Sequence, residues 1–472
     1  MTDAPSKSGD PATRRAGFQQ TLVFAIVAGL FVATAQFAFF SEVKRPEADA
    51  LRYIDYALNL YHHGVFGLSD GALSEAPSPG NANSPLYPAW LALWMTLDPG
   101  LSESLSCVRF QPPGTPCPLD LDRLLAAQSG LAVLAFTFLW LTARRLHGRA
   151  GVAWLAGLAA FLSFELLKFA NLVLTEILVL PLFFAFVWCL VVAYQTGKLR
   201  WWLAAGLAIG LTALTRPEYA YLFYGLALAL GAATLWRRQK LLLFKGAMLV
   251  LGFGLVAAPW LGRNYVQFGQ ASLTGGYADA IFAQRAAYNR MSWPEIGVAF
   301  VYWLPDFGDS LAGKLFPKPL HAKLGWQEGS YYLSESPKVF LESRNRVENR
   351  EDVLADLMHE HVQKDPAKHF FVTLALLARG MFVAKYWGIL GLIGFLLTLC
   401  WSLKKRDQDF LIASLPAWFM AVFYAAVSVS VARYNLGLLQ IYAIGIAWTA
   451  YEAGSRLRWL RRGPPGKADE TR

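Results

Sequence analysis

Long apolar runs punctuated by short basic clusters constrain this chain more than any other feature. Phe18 to Phe40 is the first run, and at 1.5 Å per helical residue it matches the roughly 30 Å hydrocarbon core of a bilayer. Nine more follow: Leu124–Ala143, Val152–Leu166, Phe169–Tyr194, Trp202–Leu214, Tyr219–Leu235, Leu241–Trp260, Tyr386–Leu403, Phe410–Val429 and Leu436–Tyr451. Basic residues gather after every second run: Arg144, Arg145 and Arg149; Lys198 and Arg200; Arg237, Arg238 and Lys240; Lys404, Lys405 and Arg406; and the RLRWLRR segment from Arg456. Positive charge is retained on the cytoplasmic side. Both termini are therefore expected inside, and the two long polar stretches, 41–121 and 261–385, outside. The chain is 55% hydrophobic and 16% charged, where a soluble domain is about a quarter charged. Its net charge of +10 follows from the inner loops and gives no reason to invoke nucleic acid. The expected fold class is an all-α polytopic membrane protein of about ten transmembrane helices: a cytoplasmic tail at 1–17, a membrane domain at 18–451 and a basic cytoplasmic tail at 452–472. The first run is too long for the core of a cleaved signal peptide.

Within the second long stretch, His369 to Lys385 is apolar but holds Arg379, which fits an amphipathic helix lying on the membrane surface. A further surface-lying segment is expected around Asp306 and Phe307. Cys189 and Cys400 fall inside apolar runs and read as small buried residues. Cys107 and Cys117 share the first outer stretch and are expected to pair in an oxidising compartment. His62 and His63 are adjacent on a helix and point in different directions, which makes a poor metal site.

The chemistry-bearing residues collect at the outer ends of the runs. Glu47, Asp49 and Asp55 follow the first run, and Asp49, Tyr53, Ala57 and Leu60 share one face of a short helix that Gly64 should end. The segment SPLYP, Ser84 to Pro88, should open a second helix and carries Tyr87. Glu176 sits about one turn inside the fourth run, where an acid must face the bundle interior. Arg216 follows the fifth run in LTRPE, Arg263 and Asn264 follow the seventh in PWLGRN, and Arg433 and Tyr434 precede the tenth in ARYN. Each arginine alone could snorkel to the interface. Together they form a basic ring facing an acidic loop, which suits capture of an anionic headgroup such as a lipid phosphate. Asp49 alone could simply cap its helix.

The order D-A-x-x-Y from Asp49, then P-L-Y-P, T-E, L-T-R-P-E, P-W-x-x-R-N and R-Y resembles the membrane glycosyltransferases of the GT-C fold. The similarity is to the branch holding the protein O-mannosyltransferases and the lipid A aminoarabinose transferase, and it runs from about Phe18 to Tyr451. The resemblance implies an inverting glycosyltransferase of the periplasmic face of a bacterial inner membrane. Such an enzyme takes a sugar from a polyprenyl-phosphate donor and passes it to a hydroxyl of lipid A, a polysaccharide, a glycolipid or a protein. It implies Asp49 as the catalytic base with Glu47 secondary and Asp55 on the helix surface. Arg52, Arg216, Arg263 and Arg433 would hold the donor phosphate, and Tyr53, Tyr87, Glu176, Asn264 and Tyr434 would line the site. Arg52 and Tyr53 would hold the charge of Asp49. A phosphate leaves as a stable anion, so one base and cationic side chains suffice, with no cofactor required and room for a divalent metal ion. The expected partners are the lipid donor, the acceptor and the bilayer, with the chain a monomer. The sequence departs from the aminoarabinose branch in separating Glu47 from Asp49 by Ala48 and in placing Asn83 and Ser84 before Pro85. A flippase of lipid-linked sugars, or a polysaccharide polymerase or ligase, are the alternatives. A flippase would carry charges near the bilayer midplane rather than at one face.

Overall fold

A computed structural model describes residues 11–40, 42–69, 75–111, 115–276, 278–349 and 352–462, so much of the two expected tails lies outside the described residues. α1 (Pro11–Phe39) is followed by three helices of the first loop, α2 (Asp49–His63), α3 (Leu86–Leu97) and α4 (Pro99–Phe110). The bundle continues with α5 (Asp122–His147), α6 (Ala150–Phe161), α7 (Glu165–Ala170), α8 (Glu176–Thr196), α9 (Leu199–Thr215), α10 (Tyr219–Arg237) and α11 (Lys240–Phe268). The second loop contributes α12 (Ala278–Ala287), α13 (Trp293–Tyr302), α14 (Gly308–Leu315), α15 (Ser336–Arg346), α16 (Val353–Met358) and α17 (Pro366–Met381). α18 (Tyr386–Lys405), α19 (Gln408–Val427) and α20 (Leu438–Arg462) complete the bundle. The described residues contain no strand.

Seven helices, α1, α5, α8, α10, α11, α18 and α19, are long and apolar enough to cross a bilayer among the described residues. α9, with 17 residues, and α20 stand where two more spans were expected. The expected third and fourth spans are redrawn. α6 has 12 residues, about 18 Å, and Phe164 then turns the chain through a left-handed conformation at φ 55° into the short α7. Residues 171–175 are not helical, so α8 starts at Glu176 rather than near Phe169. Glu176 is thus the first residue of a helix, not one turn inside a span. α11 likewise runs on to Phe268, so Arg263 and Asn264 lie within a helix, not after one.

α8 is buried along nearly its whole length and packs between α5, α9 and α19. Close backbone approach sets the outer pairs. A Cβ on Gly206 of α9 would lie 2.2 Å from the Leu249 carbonyl of α11, and one on Gly252 of α11 would lie 2.2 Å from that of Leu203. Small residues at a crossing allow this contact, which supplies the dispersion that lipid-exposed helices need to associate. By connectivity, the C-terminal ends of α1, α9, α11 and α19 and the N-terminal ends of α5, α8, α10, α18 and α20 reach one face, called here the loop face. The second loop covers it with its own small cores. α17 buries Val372, Ala375 and Leu376 against α13 and α19 and Arg379 against Tyr288, Trp303 and Trp326, so a helix with one buried face stands where an amphipathic one was expected from His369. Cys107 and Cys117 are bonded, with Cα atoms 5.7 Å apart. Cys189 is buried as expected, whereas Cys400 is exposed on α18, where the apolar run says nothing about which face looks outward.

Candidate active site

The site assembles from four chain ends on the loop face. α2 begins after Ala48, whose φ of 48° is strained for a residue with a Cβ. The turn is closed by Ala50 N–H donating to the Glu47 carbonyl at 3.0 Å. Ala50, Ile54, Ala57 and Leu58 face the core, which turns Asp49 outward with its side chain 51% exposed. Gly64 ends α2 in the left-handed conformation, as its position in the sequence suggested. α8 contributes Glu176, only 4% exposed, at an N-terminus where the helix dipole favours an anion. α9 stops at Thr215 because Arg216 precedes Pro217 and is driven to extended backbone (φ −141°, ψ 114°). The turn after α19 carries Arg433 and follows Ser430, another strained residue at φ 43°.

These four ends meet in one chain of ion pairs. Arg433 Nη2 donates to Asp49 Oδ2 at 2.8 Å, and Arg433 Nε lies 3.2 Å from Glu176 Oε1. Arg216 Nη1 donates to the same Glu176 oxygen at 3.3 Å, and its Nη2 lies 3.6 Å from Glu218 Oε1. Tyr434 lies under both guanidiniums, 5.0 Å from Arg216 and 5.5 Å from Arg433, within cation–π range. Tyr53, one turn along α2 from Asp49, packs edge-on against Tyr87 with ring centroids 5.6 Å apart, and burial raises its pKa well above that of a free tyrosine. The base of the site is held from below. The Tyr87 hydroxyl donates to Gln128 Oε1 at 3.0 Å, and Gln128 Nε2 donates to the Ala170 and Leu172 carbonyls at 3.0 and 3.2 Å. That fixes the non-helical stretch leading to Glu176.

Of the residues named from the sequence, Asp49, Tyr53, Glu176, Arg216, Arg433 and Tyr434 are therefore brought together. Glu47 is exposed beside them and stands outside the chain of pairs. Several expectations are corrected. Tyr87 is fully buried beneath Tyr53 and supports the site rather than lining it. Arg52 donates to Asn83 at 3.0 Å, and the partner holding the Asp49 carboxylate is Arg433. Arg263 donates to the Gly80 carbonyl at 2.7 Å, to that of Phe66 at 3.2 Å and to Asn264 at 2.8 Å. Asn264 is fully buried and donates to the Ser272 carbonyl at 2.7 Å. Arg263 fastens the first loop onto α11, and Asn264 holds the chain that follows the helix. Asp55 is no surface residue: it is 1% exposed, and its Oδ2 accepts Arg109 Nη2 at 2.8 Å and Nε at 3.1 Å. Glu218 was missed, although it stands two residues after Arg216 in the turn that bears it. His62 Nε2 is 3.0 Å from Ser102 Oγ, and among the described residues no three His, Cys, Asp or Glu side chains form a group able to hold a metal ion.

Residues 124–262, from α5 to α11, match the family described as dolichyl-phosphate-mannose-protein mannosyltransferase. The match covers less than a third of the chain, and the mannosyltransferases it describes are among the proteins that the sequence motifs resemble. Among solved structures, the chain is similar to ArnT from Cupriavidus metallidurans bound to undecaprenyl phosphate, at 16% identity and a TM-score of 0.47, over 91% of this chain and 62% of that one. It is also similar to the archaeal oligosaccharyltransferase AglB from Archaeoglobus fulgidus in complex with an inhibitory peptide and a dolichol-phosphate, at 12% identity and a TM-score of 0.49, over 95% of this chain and 52% of that one. The chain thus spans less than two thirds of the length of either. No curated protein matches it.

Proposed function

We propose that this chain is an inverting glycosyltransferase that moves a sugar from a polyprenyl-phosphate donor to a hydroxyl acceptor on the periplasmic face of a bacterial inner membrane. The observation that carries the reading is the convergence of Asp49, Glu176, Arg216 and Arg433 at the loop face, where the phosphate of a membrane-borne donor would come within reach of them. In the reaction, the acceptor oxygen attacks the anomeric carbon. The bond from that carbon to the phosphate oxygen breaks with its electron pair going to phosphate, and Asp49 takes the hydroxyl proton. Arginine stabilises the charge that grows on the leaving phosphate, so no general acid is needed. A single base distinguishes this chemistry from the paired carboxylates of glycosidases.

The test is twofold. A deletion strain should accumulate a polyprenyl-phosphate sugar and an acceptor lacking one residue, read by mass spectrometry of its lipids. Asp49→Asn should lower turnover at least about a hundredfold while the donor still binds. Full activity in Asp49→Asn together with full activity in Glu47→Gln would overturn the assignment.

A further inference from the structure

The ion-pair chain has an exposed end and a buried end. Glu176 and Arg216 are 4% and 14% exposed, whereas Arg433 and Asp49 are 35% and 51% exposed. Arg216 is already flanked by two carboxylates, Glu176 and Glu218. Arg433 has Glu176 against its Nε and Asp49 against its Nη2, so each carboxylate is held by a different nitrogen of the guanidinium. The chain holds three carboxylates against two guanidiniums. A phosphate added to it intact would deepen an excess of negative charge, while a phosphate that takes the place of one carboxylate would not.

Resting on the reading above, we propose that the donor phosphate and Asp49 occupy Arg433 in turn. The phosphate displaces the Asp49 carboxylate from Nη2, and the pair acts as a latch that frees the base only when donor is bound. Glu176 is the positioning residue, because it keeps Arg433 Nε in place while Nη2 changes partner, and Tyr434 keeps the guanidinium plane supported from its ring face. The exchange is cheap at this end. An exposed pair is weakly held and screened by water, whereas a buried one such as Glu176 with Arg216 is costly to open. Ala48 and Ser430, both at positive φ, hold the two facing turns at the latch, a placement of strain common where two states are used.

The experiment measures binding of undecaprenyl phosphate, without sugar, to the purified full chain in detergent. Removing the competing charge by Asp49→Asn should tighten binding about two- to fivefold, the factor expected for release of an exposed ion pair. In an Arg433→Gln background, binding should be weaker and Asp49→Asn should add nothing, because the two sites act through one contact. Unchanged or weaker binding in Asp49→Asn, or the same tightening without Arg433, overturns the exchange while leaving the transferase reading intact. Failure of the wild-type chain to bind undecaprenyl phosphate at all overturns both.

Discussion

Asp55 offers the sharpest test of how the site is held. It lies six residues after Asp49 on α2, but it faces inward, toward α4. Its Oδ2 accepts two bonds from Arg109, and its Oδ1 accepts from Asn59 Nδ2 at 3.1 Å and from the Ser69 amide at 3.3 Å. Arg109 stands two residues from Cys107, so the pair couples α2 to the segment closed by the disulfide. Breaking a fully buried pair typically costs about 3–5 kcal/mol. Two features reduce that here. The Arg109 side chain is 31% exposed and can be hydrated, and Asn59 Nδ2 keeps its bond to the Gly67 carbonyl at 2.9 Å. Asp55→Ala should therefore destabilise the protein by about 2–3 kcal/mol, mostly through the lost bidentate, charge-assisted bonds. Asp55→Asn should cost less, since it keeps an acceptor for Asn59 and Ser69. Thermal unfolding in detergent measures the loss, and a double-mutant cycle with Arg109→Ala should show strong non-additivity. A loss below about 0.5 kcal/mol in Asp55→Ala, or additive effects in the cycle, would mean that this pair does not fix α2.

Gly380→Ala should abolish turnover, because its Cβ would fall 2.3 Å from Asn435 Nδ2 and 2.5 Å from Ser430 Oγ, in the turn that carries Arg433; activity and melting measured together should show turnover falling further than stability. His369 has its pKa lowered to about 4 by burial, with the Arg285 charge adding to it, and its Nδ1 sits 3.2 Å from Asn289 Nδ2. The unfolded chain takes up that proton near pH 6.5 and the folded one only near 4, so this part of the stability is whole above pH 6.5 and is lost as pH falls from 6.5 to 4. Hydrogen exchange over α12 and α17 should quicken through that window, and less so in His369→Asn. Reducing the Cys107–Cys117 bond should cost about 2–3 kcal/mol, seen as a lower melting temperature that Cys107→Ser with Cys117→Ser reproduces. A reporter fused after Arg472 should be active only in the cytoplasm, as the basic clusters require.

The sequence by itself determined the all-helical class, most of the long apolar helices and the ends of several of them. Apolar run length and the placement of lysine and arginine act locally, through transfer to lipid and insertion, so they can be read without partners. Gly64 and the Arg216–Pro217 step likewise mark their helix ends through backbone sterics of one or two residues. Helical spacing grouped Asp49 with Tyr53, and the topology of the apolar runs drew Glu176, Arg216 and Arg433 to one level. What the sequence did not determine is which charge meets which. Arg433 and Asp49 pair across 384 positions, and Arg216 and Glu176 across 40. Periodicity orients a side chain about its own helix axis but says nothing of the neighbour it will face. That is why Asp55 read as a surface residue and lies buried against Arg109, and why Arg263 read as a phosphate ligand and is bound to the carbonyls of Phe66 and Gly80. Only tertiary packing decided that Glu176, an isolated acid in the sequence, would sit between two arginines, because a buried carboxylate is tolerated only where the fold delivers cations to it.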